Sequence, residues 1–416
     1  MSILRQRFIT GGTIGALWMI ILSTTVAVIM SFATGDPVRP NIAFGIIIGA
    51  VWGIFFAARI GGQMVEWMTV AIVAALTLGD AYIRSLGNVT TKIGFSPIVT
   101  ESTLLNNIIG AAILSVGFFI SFKTIMVSCG RRDLTKHEWE DVIIRFLTGF
   151  GYIFFTATVF IPFYVMVMTS LKNQSELIQN PLDFSIDFSK GLDLFRSYFE
   201  LFNEFNFGNY LITSFFISVL TVFITLAFSI PGAYAVARLR FRGQAAFSRG
   251  ILLIYMVPMI VLALPIYIAF SMTGLRNSIP GIILIYPVTT IPVALYMLQG
   301  YFRGLPAEIE EAGLMDGLKR LSVIWKITLP LSLPALASVS LYVFMIAWNE
   351  FLLAFMLLDD PSKFTLTRGI ASLNSSEIPR QHLMAGAVIA TVPIMVIFLG
   401  LERFMTKGLT AGSVKG

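Results

Sequence analysis

Apolar residues run along this chain in long blocks separated by short polar stretches. The blocks lie at residues 11–33, 41–58, 64–78, 104–122, 146–171, 210–236, 250–271, 280–301, 332–357 and 384–401. Most approach or exceed the roughly 20 residues that a helix needs to cross the hydrocarbon core. Lipid offers no partner for an unpaired backbone N–H or C=O, so each block must form a helix. The pattern predicts an all-α integral membrane protein with about ten transmembrane helices. The block at 64–78 is the weakest, being short and carrying Glu66. The first block exceeds the apolar core of about 7–15 residues in a cleaved signal peptide, and Arg5 and Arg7 precede it. It reads as a span with a cytoplasmic N-terminus.

The polar connections set orientation. Residues 123–145 carry Arg131, Arg132 and Lys136 beside Asp133, Glu138, Glu140 and Asp141. This connection divides an N-terminal membrane region, 1–145, from a core, 146–416. After four spans it faces the cytoplasm, as do Arg238, Arg240, Arg242 and Arg249, and Arg403, Lys407 and Lys415 of the tail at 402–416. The stretch 172–207 falls outside, where Glu176, Asp183, Asp187, Asp193, Glu200 and Glu204 outnumber Lys172, Lys190 and Arg196. The positive-inside rule agrees with this arrangement and puts both termini in the cytoplasm. Phe184, Phe188, Phe195, Tyr198, Phe199 and Phe202 interleave with those charges. They predict a folded outer cap with an amphipathic helix near 192–202, which either docks a partner or covers the bundle.

One connection differs from the rest. Residues 310–336, EEAGLMDGLKRLSVIWKITLPLSLPAL, carry Glu310, Glu311, Asp316, Lys319, Arg320 and Lys326 between two apolar blocks. Each ionised side chain costs about 2.5–3.5 kcal/mol at the bilayer centre, so this segment is an ordered loop at a membrane face. Ile309, Ala312 and Met315 fall at helical spacing, as do Leu318, Leu321 and Trp325. Gly317 between them can turn the chain sharply, because glycine adopts φ > 0 at little steric cost. Pro330 and Pro334 mark the start of the next span. On composition alone the loop is equally an interfacial helix that only joins two spans.

Of 416 residues, 56% are hydrophobic and 12% charged, against about 25% charged in soluble domains; the mean hydropathy is +0.83. Membrane lipid therefore surrounds the chain. The net charge of +6 belongs to the cytoplasmic loops, since no basic patch is interleaved with aromatics, and no nucleic acid partner is expected. Cys129 is the single cysteine, which excludes an internal disulfide and a cysteine metal site. His137 and His382 lie far apart without a ligand motif, so no metal is expected. There is no Gly-x-x-x-x-Gly-Lys-Ser/Thr phosphate loop, nucleophile elbow or zinc helix. The expectation is a chain with no catalytic residue and no cofactor of its own, and so no enzyme.

The motifs add a resemblance. Glu311-Ala312-Gly313, Asp316-Gly317 and Ile327-Thr328-Leu329-Pro330, with Leu305-Pro306 before and Pro334-Ala335-Leu336 after, resemble the EAA loop of ABC importer permeases, here about 302–331. Gly313 stands where that family prefers alanine, a mild change expected to loosen the first helix. Trp348-Asn349-Glu350-Phe351 and the ending Gly408 to Gly416 are similar to stretches of the maltose-type (MalG) subunit, and the likeness covers about two-thirds of the chain. The resemblance implies a type I permease core of six helices in a bacterial cytoplasmic (inner) membrane. It implies a MalF-like second permease, a dimer of MalK-like ATP-binding subunits holding ATP and Mg, and an extracytoplasmic solute-binding protein. The implied activity is ATP-driven import by alternating access, of a sugar or oligosaccharide of the maltose or α-glucoside kind.

It assigns ATPase coupling to Glu311, Ala312, Gly313, Asp316, Gly317, Ile327, Leu329 and Pro330, and ATPase contact to tail residues Gly412, Lys415 and Gly416. The outer loop 359–381 would dock the binding protein, with its tip at Leu373, Asn374, Ser375, Ser376, Glu377, Ile378 and Pro379; the plain alternative is a solvated connector. Asn349 and Glu350, polar within an apolar block, either line the translocation path or serve as a helix cap or interhelical contact. Prolines 162, 231, 258, 265, 287, 292 and 393 imply kinked spans, which suit a bundle that opens alternately to either side. The competing reading, an ion-coupled secondary transporter, predicts broken helices and paired intramembrane ionisable residues. The spans offer Glu66 and Glu350 but no relay, and that reading leaves the charged loop unexplained. The first four spans carry no family function.

Overall fold

The computed structural model describes residues 6–35, 38–58, 98–100, 104–128, 133–180, 183, 185–374 and 378–411. Helices dominate, and a ribbon of two three-residue strands, Val38–Pro40 antiparallel to Ile98–Thr100, is the sheet present among these residues. The chain divides into two compact units, Met1–Leu194 and Phe195–Gly416.

The first unit holds α1 (Arg7–Thr34), α2 (Ile42–Ala58), α3 (Leu104–Ile125) and α4 (Lys136–Ser170). Small residues weld α1 to α2. A Cβ added at Gly53 would sit 1.8 Å from Gly11 O, and one at Gly15 would sit 2.2 Å from Gly49 O. Both backbones approach as closely as glycine permits, the packing that lipid-embedded helices use where burial from water gives no drive. The Trp18 indole donates to Ser121 Oγ at 2.7 Å and meets Phe146 edge-on. The start of α4 is fixed by a capping box: Thr135 Oγ1 accepts from Glu138 N, and Glu138 Oε2 accepts from Thr135 N. Residues 146–171 thus pack with α1 and α3, so the packing boundary at 194/195 differs from the division at 145/146 that the charges suggest.

The second unit holds α5 (Arg196–Glu204), α6 (Phe207–Arg238), α7 (Gln244–Tyr255), α8 (Met259–Met272), α9 (Ile279–Gly304), α10 (Ala307–Met315), α11 (Arg320–Val323), α12 (Leu333–Asn349), α13 (Leu352–Leu357), α14 (Leu366–Ser372) and α15 (Arg380–Ala411). Its centre is α6, which packs on α9 and α12. Ser214, Ser218, Thr221, Thr225 and Ser229 form one buried stripe along α6. Thr225 and Thr290 share a hydroxyl hydrogen bond at 2.6 Å, and Ser214 Oγ accepts from Leu366 N at 2.6 Å.

Among the described residues six helices are long and apolar enough to span: Arg7–Thr34, Ile108–Ser128, Lys136–Ser170, Phe207–Arg238, Ile279–Gly304 and Arg380–Gly400. The helical stretches Arg320–Leu331 and Leu333–Asn349 are apolar enough only when taken together and are bent by 79° at their junction, and α2 and α8 are shorter apolar helices. The block at 64–78 lies outside the described residues. Two blocks read as single spans are broken. Residues 250–271 divide between α7 and α8 because Pro258, without an N–H, starts a new helix. Residues 332–357 divide between α12 and α13 at Glu350.

Candidate coupling site

The loop between α9 and α12 is two helical arms joined by a tight turn. The first arm, α10, starts after Pro306 and ends in a Schellman motif. Leu318 N donates to Gly313 O at 3.1 Å and Gly317 N to Leu314 O at 3.1 Å, with Gly317 at φ +85°. The second arm runs through α11, a wide turn at Ile324–Thr328 and a final turn at Leu329–Leu331, then bends by 79° into α12. The bend falls at Ser332, with Pro334 in the first turn beyond it.

The arms pack on each other at Gly313, which is buried. A Cβ there would meet Ile327 Cδ1 at 2.6 Å, so the missing methyl lets Ile327 close against α10. The glycine thus leaves room for Ile327 between the arms. Leu329 is half-buried, whereas Pro330, Ala312, Asp316 and Glu311 are exposed. The apolar positions point outward too, with Met315 88%, Leu321 72% and Trp325 71% exposed. Among the described residues Glu311 makes no hydrogen bond or ion pair within the chain. The loop therefore presents an apolar surface with a carboxylate beside it, the composition of an interface core with a charged rim.

Its neighbour Glu310 does the opposite. It is 7% exposed and reaches three residues on two elements, α6 and the second arm. Tyr234 Oη donates to Glu310 Oε2 at 3.2 Å, Thr328 Oγ1 donates to Oε1 at 3.0 Å, and Arg238 Nε lies 3.4 Å from Oε1. Arg238 Nη2 also donates to Leu305 O at 2.7 Å. The motif in the sequence points to Glu311 and leaves Glu310 unassigned. The available signal was its place three residues before Gly313, on the face that meets the second arm.

The other assigned positions are dispersed. Glu350 caps α13: its Oε1 accepts from Leu353 N at 2.9 Å and its Oε2 from Ala354 N at 3.1 Å. This is the helix-cap reading of Glu350. Asn349 is exposed, its side chain donating to Met345 O at 2.9 Å. On the loop 359–381, Leu373 is only 2% exposed and belongs to the core, Asn374 is exposed, and Ile378 packs against the same core. Leu373 therefore anchors this loop and is no part of a projecting tip; Pro379 is half-buried, and residues 375–377 lie outside the described residues. So do Gly412, Lys415 and Gly416. On the stretch 172–207 an amphipathic helix forms at Arg196–Glu204, α5. Its Glu200 pairs with Arg196 and with His382 Nε2, each at 2.7 Å, and the Arg196 guanidinium beside it holds the carboxyl below the usual carboxylate range.

Residues 229–410 match the family described as binding-protein-dependent transport system inner membrane component. The chain is 36% identical over 281 residues to the inner membrane ABC transporter permease protein YcjP of Escherichia coli, covering 66% of this chain and 96% of that protein. It is 32% identical to the trehalose/maltose transport system permease protein MalG of Thermococcus litoralis, covering 67% of this chain and 99% of that protein. Among solved structures, a bacterial ABC transporter involved in import of the acidic polysaccharide alginate superposes with TM-score 0.55 at 22% identity, over 65% of this chain and 98% of the other.

Proposed function

The chain belongs to the binding-protein-dependent inner membrane components, the permease subunits of ABC importers, and from that premise we propose that it moves a sugar or oligosaccharide inward by alternating access. The relatives' names support a carbohydrate: trehalose and maltose for MalG, and arabinooligosaccharides for AraQ of Halalkalibacterium halodurans. A sugar of the maltose or α-glucoside kind is the finer reading. The chain is a multi-pass inner membrane component, and the family works with an ATPase and a solute-binding protein. A MalF-like second permease completes the pathway, and MalK-like ATP-binding subunits supply ATP, Mg and hydrolysis. Both termini and the coupling loop lie in the cytoplasm.

The observation that carries this reading is the outward-facing surface of Met315, Leu321 and Trp325 beside Glu311, which makes no ion pair among the described residues. ATP would close the nucleotide-binding dimer, draw the docked loops together and reorient the spans. On the outer side, Asn374 with its following residues would meet the binding protein. An ion-coupled mechanism is disfavoured because the Glu350 carboxylate already caps α13. The test is uptake of labelled trehalose, maltose and arabino-oligosaccharides by cells with and without the gene. Loss of uptake for one of them supports the reading, and unchanged uptake of all three contradicts the substrate class.

A further inference from the structure

We propose that Glu310 is the positioning residue that carries movement of the docked loop into the spans. The proposal rests on the reading of the loop as an ATPase docking surface and adds what lies behind it. Glu310 stands on the first arm, Thr328 on the second, and Tyr234 and Arg238 at the inner end of α6. One carboxylate therefore ties both arms to α6. Arg238 extends the tie, since its Nη2 holds Leu305 O at the point where α9 gives way to the loop.

The contacts are placed to transmit force and not only to fill space. Glu310 turns inward while Glu311 turns outward, so adjacent carboxylates divide the inner and outer faces of α10 between them. The second arm continues through the 79° bend into α12, whose outer end is Asn349. A shift of the docked arms thus reaches α6 through Tyr234 and Arg238, and α12 through Thr328. Low exposure protects these polar contacts from competing water, which makes the link stiffer than a surface pair. An apolar residue at 310 would fill the space and leave nothing to pull on Tyr234 or Arg238.

The test uses the assembled importer, with Cys129→Ser removing the single cysteine and Asn349→Cys supplying one thiol at the outer end of α12. The rate of labelling by a membrane-impermeant maleimide is compared with and without MgATP plus vanadate. In this parent, trapping is expected to change the rate. Adding Glu310→Gln is expected to leave the ATP-binding subunits bound and MgATP hydrolysis measurable, while the trapped-to-untrapped ratio collapses to unity. A parental ratio in Glu310→Gln overturns the proposal. If Glu310→Gln fails to accumulate in the membrane, Tyr234→Phe and Thr328→Val decide, because each removes one hydroxyl and keeps the packing. A ratio between the parent's and unity supports the link, and the parental ratio overturns it. Glu311→Arg tests the underlying docking separately: it should release the ATP-binding subunits, and their retention would overturn the docking reading without altering the Glu310 comparison.

Discussion

Two helix pairs in this protein are packed by opposite means. In the first unit α1 and α2 interlock glycine against glycine, and an added methyl at Gly53 would fall on a backbone oxygen at 1.8 Å. In the second unit α6 and α9 meet through hydroxyls, Thr225 to Thr290 at 2.6 Å, while Ser218 and Thr221 are buried without a partner among the described residues. Backbone against backbone allows one relative position. A seam of small hydroxyls tolerates several, because Ser and Thr can return to their own helix carbonyls when a cross-helix partner moves away. The welded pair lies in the first unit, whereas the hydroxyl seam lies on α6, whose last turns reach Glu310 through Tyr234 and Arg238.

The comparison can be broken or sharpened by substitution. The largest effect is expected from Arg238→Met, which leaves the buried Glu310 carboxylate without its cation and should cost about 3–5 kcal/mol. Thermal unfolding in detergent measures it, and a loss near zero would mean that Glu310 is satisfied by Tyr234 and Thr328 alone. Gly53→Ala comes next, at about 1–3 kcal/mol from overpacking. Its readout is the melting of the first unit, and an unchanged melt would deny the weld. On the seam, a cycle of Thr225→Val and Thr290→Val should give a coupling of only about 0.6 kcal/mol. A value above about 2 kcal/mol would make the seam as fixed as the weld and erase the contrast.

The smallest effect concerns α5. Glu200 has its carboxyl held low by Arg196, with His382 as a second partner. A carboxylate with a depressed folded pKa stabilises above its unfolded value, about 4.3, and loses that contribution as pH falls through the folded value. Hydrogen exchange in α5, corrected for intrinsic rates, should therefore quicken below about pH 4. Glu200→Gln should abolish that step.

Much of this was legible in the amino-acid order. Long apolar blocks require helices in lipid, and Gly317 between two amphipathic stretches requires a turn. The breaks at Pro258 and Glu350 were less legible, because a proline inside an apolar block kinks some helices and starts others. Glu350 was open to two readings until its oxygens were seen on Leu353 N and Ala354 N. The glycine weld had a signal, Gly11 and Gly15 against Gly45, Gly49 and Gly53 at four-residue spacing. Which helices meet does not follow from that spacing alone. Leu373 shows the converse limit: a polar loop of the right length still hides an apolar anchor that only tertiary packing reveals.

The central claim is that the surface around Glu311 docks the ATP-hydrolysing partner. The most direct measurement is the affinity of the purified ATP-binding subunits for the permease in nanodiscs, wild type against Glu311→Arg, by surface plasmon resonance. Docking at Glu311 predicts weakening of at least about tenfold, equal to about 1.4 kcal/mol, with the melting temperature of the permease unchanged because Glu311 is exposed and makes no hydrogen bond or ion pair among the described residues. Equal affinity for the two proteins would contradict it and leave the loop as a connector between two spans.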